Sequence, residues 1–252
     1  MKKLFILAAC LFVSYSVQAQ LQPKKMTPES SEIWDPVPRK VTPGPANASV
    51  SGFTAPSDAI VLFDGSNLNE WMASNGGDAP WMVSDGAMTV APRKGGIQTK
   101  REFGDYQLHI EWRTPAEVKG NGQGRGNSGV FMQGIYELQV LDSYENPTYS
   151  NGQAGSIYKQ SMPLVNVSKK PGEWQVYDVI YTAPRFNKDG LMLIPPYITV
   201  LHNGVLIQNH TQIQGTTAFV GRPVVKPHGR GPIMLQDHGN PTSFRNIWIR
   251  EL

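Results

Sequence analysis

Cysteine is nearly absent from this chain: Cys10 is the only one among 252 residues. A single cysteine near the amino terminus excludes a disulfide framework, a thiolate zinc site and a cysteine nucleophile within a later domain. The chain also has little excess of either positive or negative charge. Without Lys2 and Lys3, which lie in a segment expected to be removed, 21 basic residues face 20 acidic ones. No basic stripe is left for nucleic acid, so that class of partner is disfavoured.

Long hydrophobic runs are missing beyond the start of the chain, and the one at the start is short. The apolar stretch from Leu4 to Val17 follows two lysines and leads to the small residue Ala19. This order is typical of a signal peptide, and the stretch falls short of the roughly 20 residues of a membrane span. Residues 1–19 are therefore predicted to be a signal peptide of a protein exported to a bacterial periplasm. The tetrapeptide ending at Cys10 also resembles a lipoprotein box, which leaves lipid anchoring as a second interpretation.

Glycine and proline are abundant, with 25 and 20 residues, and this favours a turn-rich β protein over a helix bundle. Many of the prolines fall in residues 20–57, which are predicted to be an extended arm or linker. From residue 58 onward, short alternating runs are separated by turns.

The clearest alternating run is Tyr106–Arg113, where apolar and polar residues follow one another with period two. Further strands are predicted within residues 130–141, 174–181, 232–238 and 244–249. Asn203-Gly204 divides residues 198–208 into a hairpin, and His202 and His210 beside it are interpreted as surface residues. The pattern predicts an all-β jelly-roll β-sandwich of two antiparallel sheets over residues 58–252.

The segment Glu137–Asp142 is the most suggestive for chemistry. Alternation places Glu137 and Gln139 on one face of a strand, and a β-bulge near Leu141 would return Asp142 to that face. The spacing is similar to that of the catalytic strand of retaining β-glucanases, which need two carboxylates about 5 Å apart. Gln139 and the shorter Asp142 depart from that pattern, and the alternative role for Asp142 is to cap a turn into Ser143.

A second candidate lies near the carboxyl end, where Gln236 and His238 share the face of a strand that runs into a turn. A histidine of ordinary pKa is a ready general base or metal ligand, so His238 is placed in the same cleft as Glu137. The alternative is a turn histidine. Glu111 and Arg113 are either cleft residues or a cross-strand ion pair. Asn127 offers an amide to a sugar.

Several segments together resemble the 3-keto-disaccharide hydrolase domain family over about residues 58–252. The segments are Leu62–Gly65, Asn127–Phe131, Tyr136–Asp142, Gly155–Tyr158, Gly172–Trp174, His202–Gly204, Gly231–Gly239 and Phe244–Ile247. The resemblance implies a concanavalin A-like sandwich and cleavage of glycosides that carry a ketone at C3.

A ketone at C3 makes the proton on C2 acidic, so such a substrate needs a base near C2, a donor at the enolate oxygen and an acid for the leaving group. His238 or Glu137 is the expected base, Arg113 an electrostatic partner, and Asp142 an acid or metal ligand. Substrate binding is assigned to Glu111, Asn127, Gln139, Tyr158 and Gln236. A divalent metal such as Mn²⁺ or Zn²⁺ on the enolate oxygen is compatible with carboxylate and imidazole ligands.

Two other functions are consistent with the same sequence. One is a retaining β-glucanase that uses Glu137 and Asp142, and the other is a non-catalytic carbohydrate-binding module, since one fold serves many functions.

Overall fold

The computed structural model describes residues 25–40 and 55–252. Residues 1–24, which include the predicted signal peptide and Cys10, and residues 41–54 of the predicted arm lie outside the described residues. Short 3-10 turns occur at Pro28–Ser31, Gly122–Gly124 and Ser150–Gly152. The strands are β1 (Arg39–Lys40), β2 (Ile60–Phe63), β3 (Trp71–Ala73), β4 (Met82–Ser84), β5 (Ala87–Thr89), β6 (Ile97–Thr99), β7 (Tyr106–Arg113), β8 (Ser128–Met132), β9 (Tyr136–Val140), β10 (Val165–Asn166), β11 (Gln175–Thr182), β12 (Arg185–Phe186), β13 (Met192–Ile194), β14 (Tyr197–His202), β15 (Val205–Gln212), β16 (Met234–Leu235) and β17 (Ser243–Glu251).

Two antiparallel sheets form the body of the fold. The larger has eight strands in the order β15-β14-β11-β7-β17-β5-β4, with β2 also paired to β17. The smaller has five, in the order β3-β6-β16-β8-β9. The predicted β-sandwich of jelly-roll type is confirmed. In the described part of the chain, no helix is long and apolar enough to cross a membrane.

Alternation along the strands decides which side chains fill the space between the sheets. In β7, Tyr106, Leu108, Ile110 and Trp112 belong to the buried hydrophobic core, so the intervening polar residues face outward. The smaller sheet contributes to the same core, where the ring centroid of Tyr136 on β9 lies 6.4 Å from that of Tyr181 on β11 in the larger sheet. Each sheet therefore has one face in the core and one face directed away from the other sheet.

The hairpin predicted at Asn203-Gly204 is present, with both turn residues at positive φ between β14 and β15. His210 is exposed, as predicted, but the surface assignment of His202 is wrong. His202 is opposite Tyr177 in the register and faces the core, where its Nε2 is 3.1 Å from Gln175 Oε1. Burial lowers the pKa of His202 to about 3, so this histidine is neutral in the core.

The described part of the arm is docked on the sandwich. Ile33 donates its backbone N–H to Asn151 Oδ1 at 3.1 Å and accepts a bond from the Ser150 N–H at 2.6 Å. Further along, β1 pairs in parallel with β10. These backbone bonds give a proline-rich segment a fixed course beside the loop that connects β9 to β10.

Candidate functional site

The outer face of the smaller sheet carries the predicted carboxyl group Glu137. Because Tyr136, Leu138 and Val140 of β9 fill the core, Glu137 and Gln139 project from the opposite face. The register continues this face onto β8, where Phe131 is opposite Glu137 and Gly129 is opposite Gln139.

Gln236 joins the same face next to β8. Its backbone N–H donates to Gly129 O at 3.0 Å. The fold thus brings together Glu137, Gln139 and Gln236, as the sequence predicted. We call this outer face of β16, β8 and β9 the amide face.

Glu137 is almost completely covered, with 4% of its surface exposed. Burial raises its pKa to about 8, because a carboxylate loses solvation in this environment. Its backbone is held at both ends: the N–H donates to Thr217 Oγ1 at 2.9 Å, and the carbonyl accepts from the Tyr158 N–H at 3.1 Å. A carboxyl group with a pKa near neutrality, fixed in place, is suited to general acid or base catalysis.

Two tyrosines lie close to this carboxyl group. The hydroxyls of Tyr149 and Tyr158 are hydrogen-bonded at 2.7 Å, and burial raises the pKa of both, with the charge of Glu137 acting in the same direction. Both hydroxyls therefore remain protonated donors at neutral pH. The predicted binding residue Tyr158 lies at the site, whereas Tyr149 was not predicted because its loop has no periodic pattern.

Gly129 leaves the space that Glu137 occupies. A Cβ at position 129 would lie 2.7 Å from Glu137 Oε1 and 2.8 Å from the Phe131 ring. Real Cβ atoms do not approach so closely, so any side chain here would displace the carboxyl group. The glycine is required by close packing, not by its backbone angles.

Three amide side chains lie on the amide face or directly before β8. The Gln139 amide lies between Gln123 and Glu137, and its nitrogen can be oriented to donate to Glu137 Oε1 at 3.1 Å. Asn127 donates to Gln123 O at 2.7 Å, but its Oδ1 is buried without a hydrogen bond partner among the described residues, as is Gln236 Oε1. An unpaired buried carbonyl is costly, and a sugar hydroxyl is a donor that would satisfy it.

Asp142 is engaged elsewhere. The β8–β9 register shows no bulge up to its end at Val140, and the next residue, Leu141, also packs in the core. Asp142 Oδ2 accepts from Arg125 Nε at 2.6 Å, and Oδ1 accepts from the Tyr144 N–H at 3.2 Å.

The second of these bonds is the turn cap that was the alternative role for Asp142. Burial raises the pKa of Asp142, although the Arg125 guanidinium opposes that shift. The side chain lines a cavity of about 320 Å³ with Thr114, Lys119 and Asn240, and Glu137 does not line this cavity.

His238 lies past the end of β16 and is exposed. Gln236 is bonded to Gly129, so the chain beyond it runs toward Asn127 and away from Phe131, the residue opposite Glu137. No hydrogen bond or ion pair joins His238 to Glu137 among the described residues. The sharing of one site by these two side chains remains a prediction.

Arg113 and Glu111 do not face the amide face, and this expectation is corrected. They lie on β7 in the larger sheet, and their alternation with core residues turns them to its outer face, on the other side of the sandwich. Glu111 does form a cross-strand ion pair, but its partner is Arg245 of β17 at 2.6 Å, not Arg113. The Arg113 guanidinium stacks on Trp174, 4.6 Å from the ring centroid.

Glu111 belongs to a buried polar cluster on that outer face. His109 Nδ1 lies 2.6 Å from Asp178 Oδ1, and Asn246 donates to Glu111 Oε1 at 2.9 Å. Burial alone would lower the pKa of His109, but its bonds to Asp178 and Glu111 outweigh burial and raise it to about 9. Burial likewise acts to raise the pKa of Glu111, yet its bonds to His109, Asn246 and Arg245 lower it to about 2. In this cluster each charged group therefore has a partner of opposite charge or a hydrogen bond.

Lys159 was also missed by the sequence reasoning. Its ammonium group donates to Pro28 O at 2.6 Å and to Phe219 O at 3.0 Å, and lies 3.8 Å from Glu32 Oε1. It thereby connects the arm to the loop that carries Tyr158. No sequence signal marks this role, because it depends on two segments more than 100 residues apart.

The carboxylate and imidazole ligands expected for a divalent metal are not assembled. In the part of the chain that the structure describes, no three side chains of the His, Cys, Asp or Glu types converge as a ligand set. We therefore derive no step that uses a metal.

A buried acid of raised pKa that lies near amides and tyrosines is a candidate active site. The model of the 3-keto-alpha-glucoside-1,2-lyase-like domain family matches residues 58–250. The chain belongs to this family and is a glycoside hydrolase.

Relatives agree with this assignment. A 3-keto-disaccharide hydrolase of Bacteroides thetaiotaomicron is 26% identical over 298 aligned positions, which cover the whole of both chains. A crystal structure of a candidate glycosyl hydrolase from Parabacteroides distasonis is 60% identical, with a TM-score of 0.79 over 90% of this chain and 97% of that chain. A second such structure from the same species shares only the fold, at 21% identity and a TM-score of 0.56 over 77% of this chain and 94% of that chain.

Proposed function

We propose that this protein cleaves 3-keto-glycosides by removing the C2 proton, eliminating the C1 substituent and adding water. The observation that carries the proposal is the buried carboxyl group of Glu137, whose pKa is about 8. An acid of that pKa is present in both protonation states near neutral pH, so it can accept a proton and give one back.

In the first step, the Glu137 carboxylate removes the proton from C2. The electron pair of the C2–H bond moves toward the C3 ketone and forms an enolate. Proton donors at the enolate oxygen stabilise this charge most effectively when they are already in place. The Tyr158 hydroxyl and the Gln139 amide beside Glu137 are the donors that we assign to the substrate.

In the second step, the enolate returns its electrons, the C1–O bond breaks and the leaving oxygen takes a proton. Glu137, protonated in the first step, is the group assigned to supply it. Water then adds its oxygen to C1 and a proton to C2, which gives the 3-keto sugar and completes a net hydrolysis. The same sequence accounts for a lyase description in the family and a hydrolase name in a relative.

The other predicted residues have different parts in this proposal. Asn127 and Gln236 present unpaired carbonyls to sugar hydroxyls. His238 is an alternative base only if it moves toward Glu137. Asp142, held by Arg125, is assigned to positioning of the loop after β9 and not to proton transfer.

Access to Glu137 requires part of its cover to shift. Glu137, Gln139 and Asn127 are each at most 4% exposed and do not line the cavity beside Asp142, so a sugar reaches them only when part of their cover moves. The segments beside the site are the loop carrying Tyr149 and Tyr158, and the arm bound to it through Lys159.

Export to the periplasm is part of the same proposal, because the signal peptide prediction places the enzyme outside the cytoplasm. Fractionation of expressing cells would test it. A mature protein that starts near Gln20 in the periplasm supports free secretion, whereas a membrane-bound form that is lost on Cys10→Ser supports the lipoprotein alternative.

The substrate is tested with a chromogenic 3-keto-glucoside and its unoxidised twin, with and without a chelator. Release of the aglycone from the keto substrate alone supports elimination. Release from the unoxidised twin supports the β-glucanase alternative. Failure to release it from either, across several 3-keto sugars, would contradict the proposal and favour a binding module.

A further inference from the structure

A second cavity lies between the arm and the loop that follows β9. Its volume is about 350 Å³, and neither Glu137 nor Gln139 lines it. Both parts of the chain supply its walls, including Trp34, Pro38, Asn146, Thr148, Gln153 and Asn166. The cavity therefore exists only while the arm is docked.

Trp34 gives this cavity an aromatic wall with an unusual degree of exposure. The residue is 57% exposed, yet it is held in place, since its Nε1–H donates to Glu32 Oε2 at 3.2 Å and its ring meets the Tyr149 ring edge-on at 6.1 Å between centroids. An immobilised indole with a face in solvent can pack against another apolar surface. The CH-rich face of a sugar ring is such a surface.

Gln153 gives the cavity an unsatisfied acceptor. The residue is 4% exposed, and its Oε1 is buried with no hydrogen bond partner among the described residues. The acceptor oxygens of the neighbouring amides are already used: Asn146 Oδ1 accepts from the Gly122 N–H at 2.8 Å, and Asn166 Oδ1 accepts from the Ser168 N–H at 3.0 Å. Gln153 is thus the lining amide with an acceptor left for a ligand.

We infer that this cavity is a second carbohydrate subsite, which takes a neutral hexose unit stacked on Trp34 with a hydroxyl donated to Gln153. The volume lies at the small end of the range for ligand pockets, about 300 to 1,000 Å³. Lys40 and Glu145 contribute one charge of each sign to the lining, which favours a neutral ligand over an anionic one. Binding here does not depend on the proposed reaction, because the groups involved are not those around Glu137.

The test uses the mature full-length protein and unoxidised glucose disaccharides, with maltose, cellobiose and trehalose as the probes. Saturation-transfer NMR and tryptophan fluorescence would report binding without turnover. We expect a dissociation constant near 1 mM or below, about 4 kcal/mol of binding free energy. Trp34→Ala and Gln153→Ala should each weaken binding at least several-fold.

Two controls keep the result interpretable. Trp34→Phe retains a ring against Tyr149 and should retain most of the binding, which separates stacking from loss of arm docking. Trp174→Ala removes a tryptophan on the opposite side of the sandwich and should leave binding unchanged. Binding that is unaffected by Trp34→Ala and Gln153→Ala, or no binding of any probe up to about 10 mM, well above the weak-site scale, would overturn the inference whether or not the keto substrate is cleaved.

Discussion

Glu137 lies where a carboxylate is poorly solvated. The free-energy cost of ionising it there raises its pKa, and this raised pKa is the physical basis of its assigned role. Its pKa is about 8 in the folded protein against 4.5 as a free side chain. In the folded state at pH 7 it holds a proton that it would lose on unfolding. The resulting loss of stability begins as pH rises above 4.5 and is complete above about pH 8.

Glu137→Gln is expected to lower the rate on a 3-keto-glycoside by about 10²- to 10⁴-fold, as for loss of an acid–base group. The same change removes the cost of the buried charge, so the melting temperature should rise, and more at pH 8 than at pH 5. Steady-state rates and thermal melts measure the two effects. Glu173→Gln, at an exposed position, is the matched control and should change neither; an active Glu137→Gln variant would contradict the assignment.

The pH dependence of kcat/KM gives a second prediction at this residue. Since the carboxylate form removes the C2 proton, kcat/KM should rise with pH through an apparent pKa of about 8. A profile that is flat between pH 6 and pH 9, or that falls across this range, would show that Glu137 is not the base.

His109 shows the opposite behaviour on the other side of the sandwich. Its pKa is raised from 6.5 to about 9, so its stabilising contribution is complete below pH 6.5 and is lost as pH rises through 9. His109→Gln should reduce the free energy of unfolding by about 3 kcal/mol at pH 6, as for breaking a buried pair, and by less at pH 9.5.

Denaturant titrations at the two pH values measure this difference. His210→Gln, at an exposed histidine stacked on Tyr197, should have an effect within about 0.5 kcal/mol. An equal loss of stability for His109→Gln at both pH values would show that the ring charge contributes nothing.

At the scale of the strand, the pairing of β8 with β9 places a glycine under the carboxyl group. Gly129→Ala puts a Cβ 2.7 Å from Glu137 Oε1, so the carboxyl group must move. A shift of about 1 Å at a reacting group costs on the order of 10²-fold in rate, and we expect a loss of that size in kcat.

The control for this strand is Gly124→Ala, because a Cβ at Gly124 meets nothing within 4 Å. That variant should keep wild-type kcat. If Gly129→Ala kept it too, the position of the Glu137 carboxyl group would not matter for the reaction.

The elements themselves were largely predictable, because period-two alternation and a two-residue turn are local signals. The predicted strand Tyr106–Arg113 and the hairpin at Asn203-Gly204 have the bounds and the turn that the sequence indicated. The strand ends were less predictable, since β9 stops at Val140 where a bulge was expected. Beyond its end, Asp142 is bonded to Arg125, a tertiary contact that no local pattern contains.

The site was predictable only on the strand that carries it. Glu137 and Gln139 follow from alternation within β9, but Arg113 and Glu111 were assigned to the wrong face. Alternation shows which residues of a strand share a face; it does not show which sheet the strand joins. Tyr149 and Lys159 escaped prediction because loops have no periodicity and because Lys159 bonds to the distant Pro28.

For the whole molecule, the two outer faces of the sandwich have different characters. The amide face keeps a poorly solvated acid and unpaired carbonyls, which are costs that a substrate can relieve. The opposite face holds paired charges on His109 and Glu111, which stabilise the larger sheet. Membership of the family assigns glycoside cleavage to the molecule. Because the unpaired carbonyls and the poorly solvated acid lie on the amide face, we propose that face as the site of the reaction.

The most direct test of the proposed elimination is the fate of the C2 hydrogen. The enzyme is allowed to cleave a 3-keto-glycoside in D₂O, and the released 3-keto sugar is examined by NMR at early times, beside the same sugar held in D₂O without enzyme. Elimination followed by hydration predicts deuterium at C2 in each molecule formed, beyond the exchange of the control. Product that keeps its original C2 proton would show direct displacement at C1 and would contradict the account.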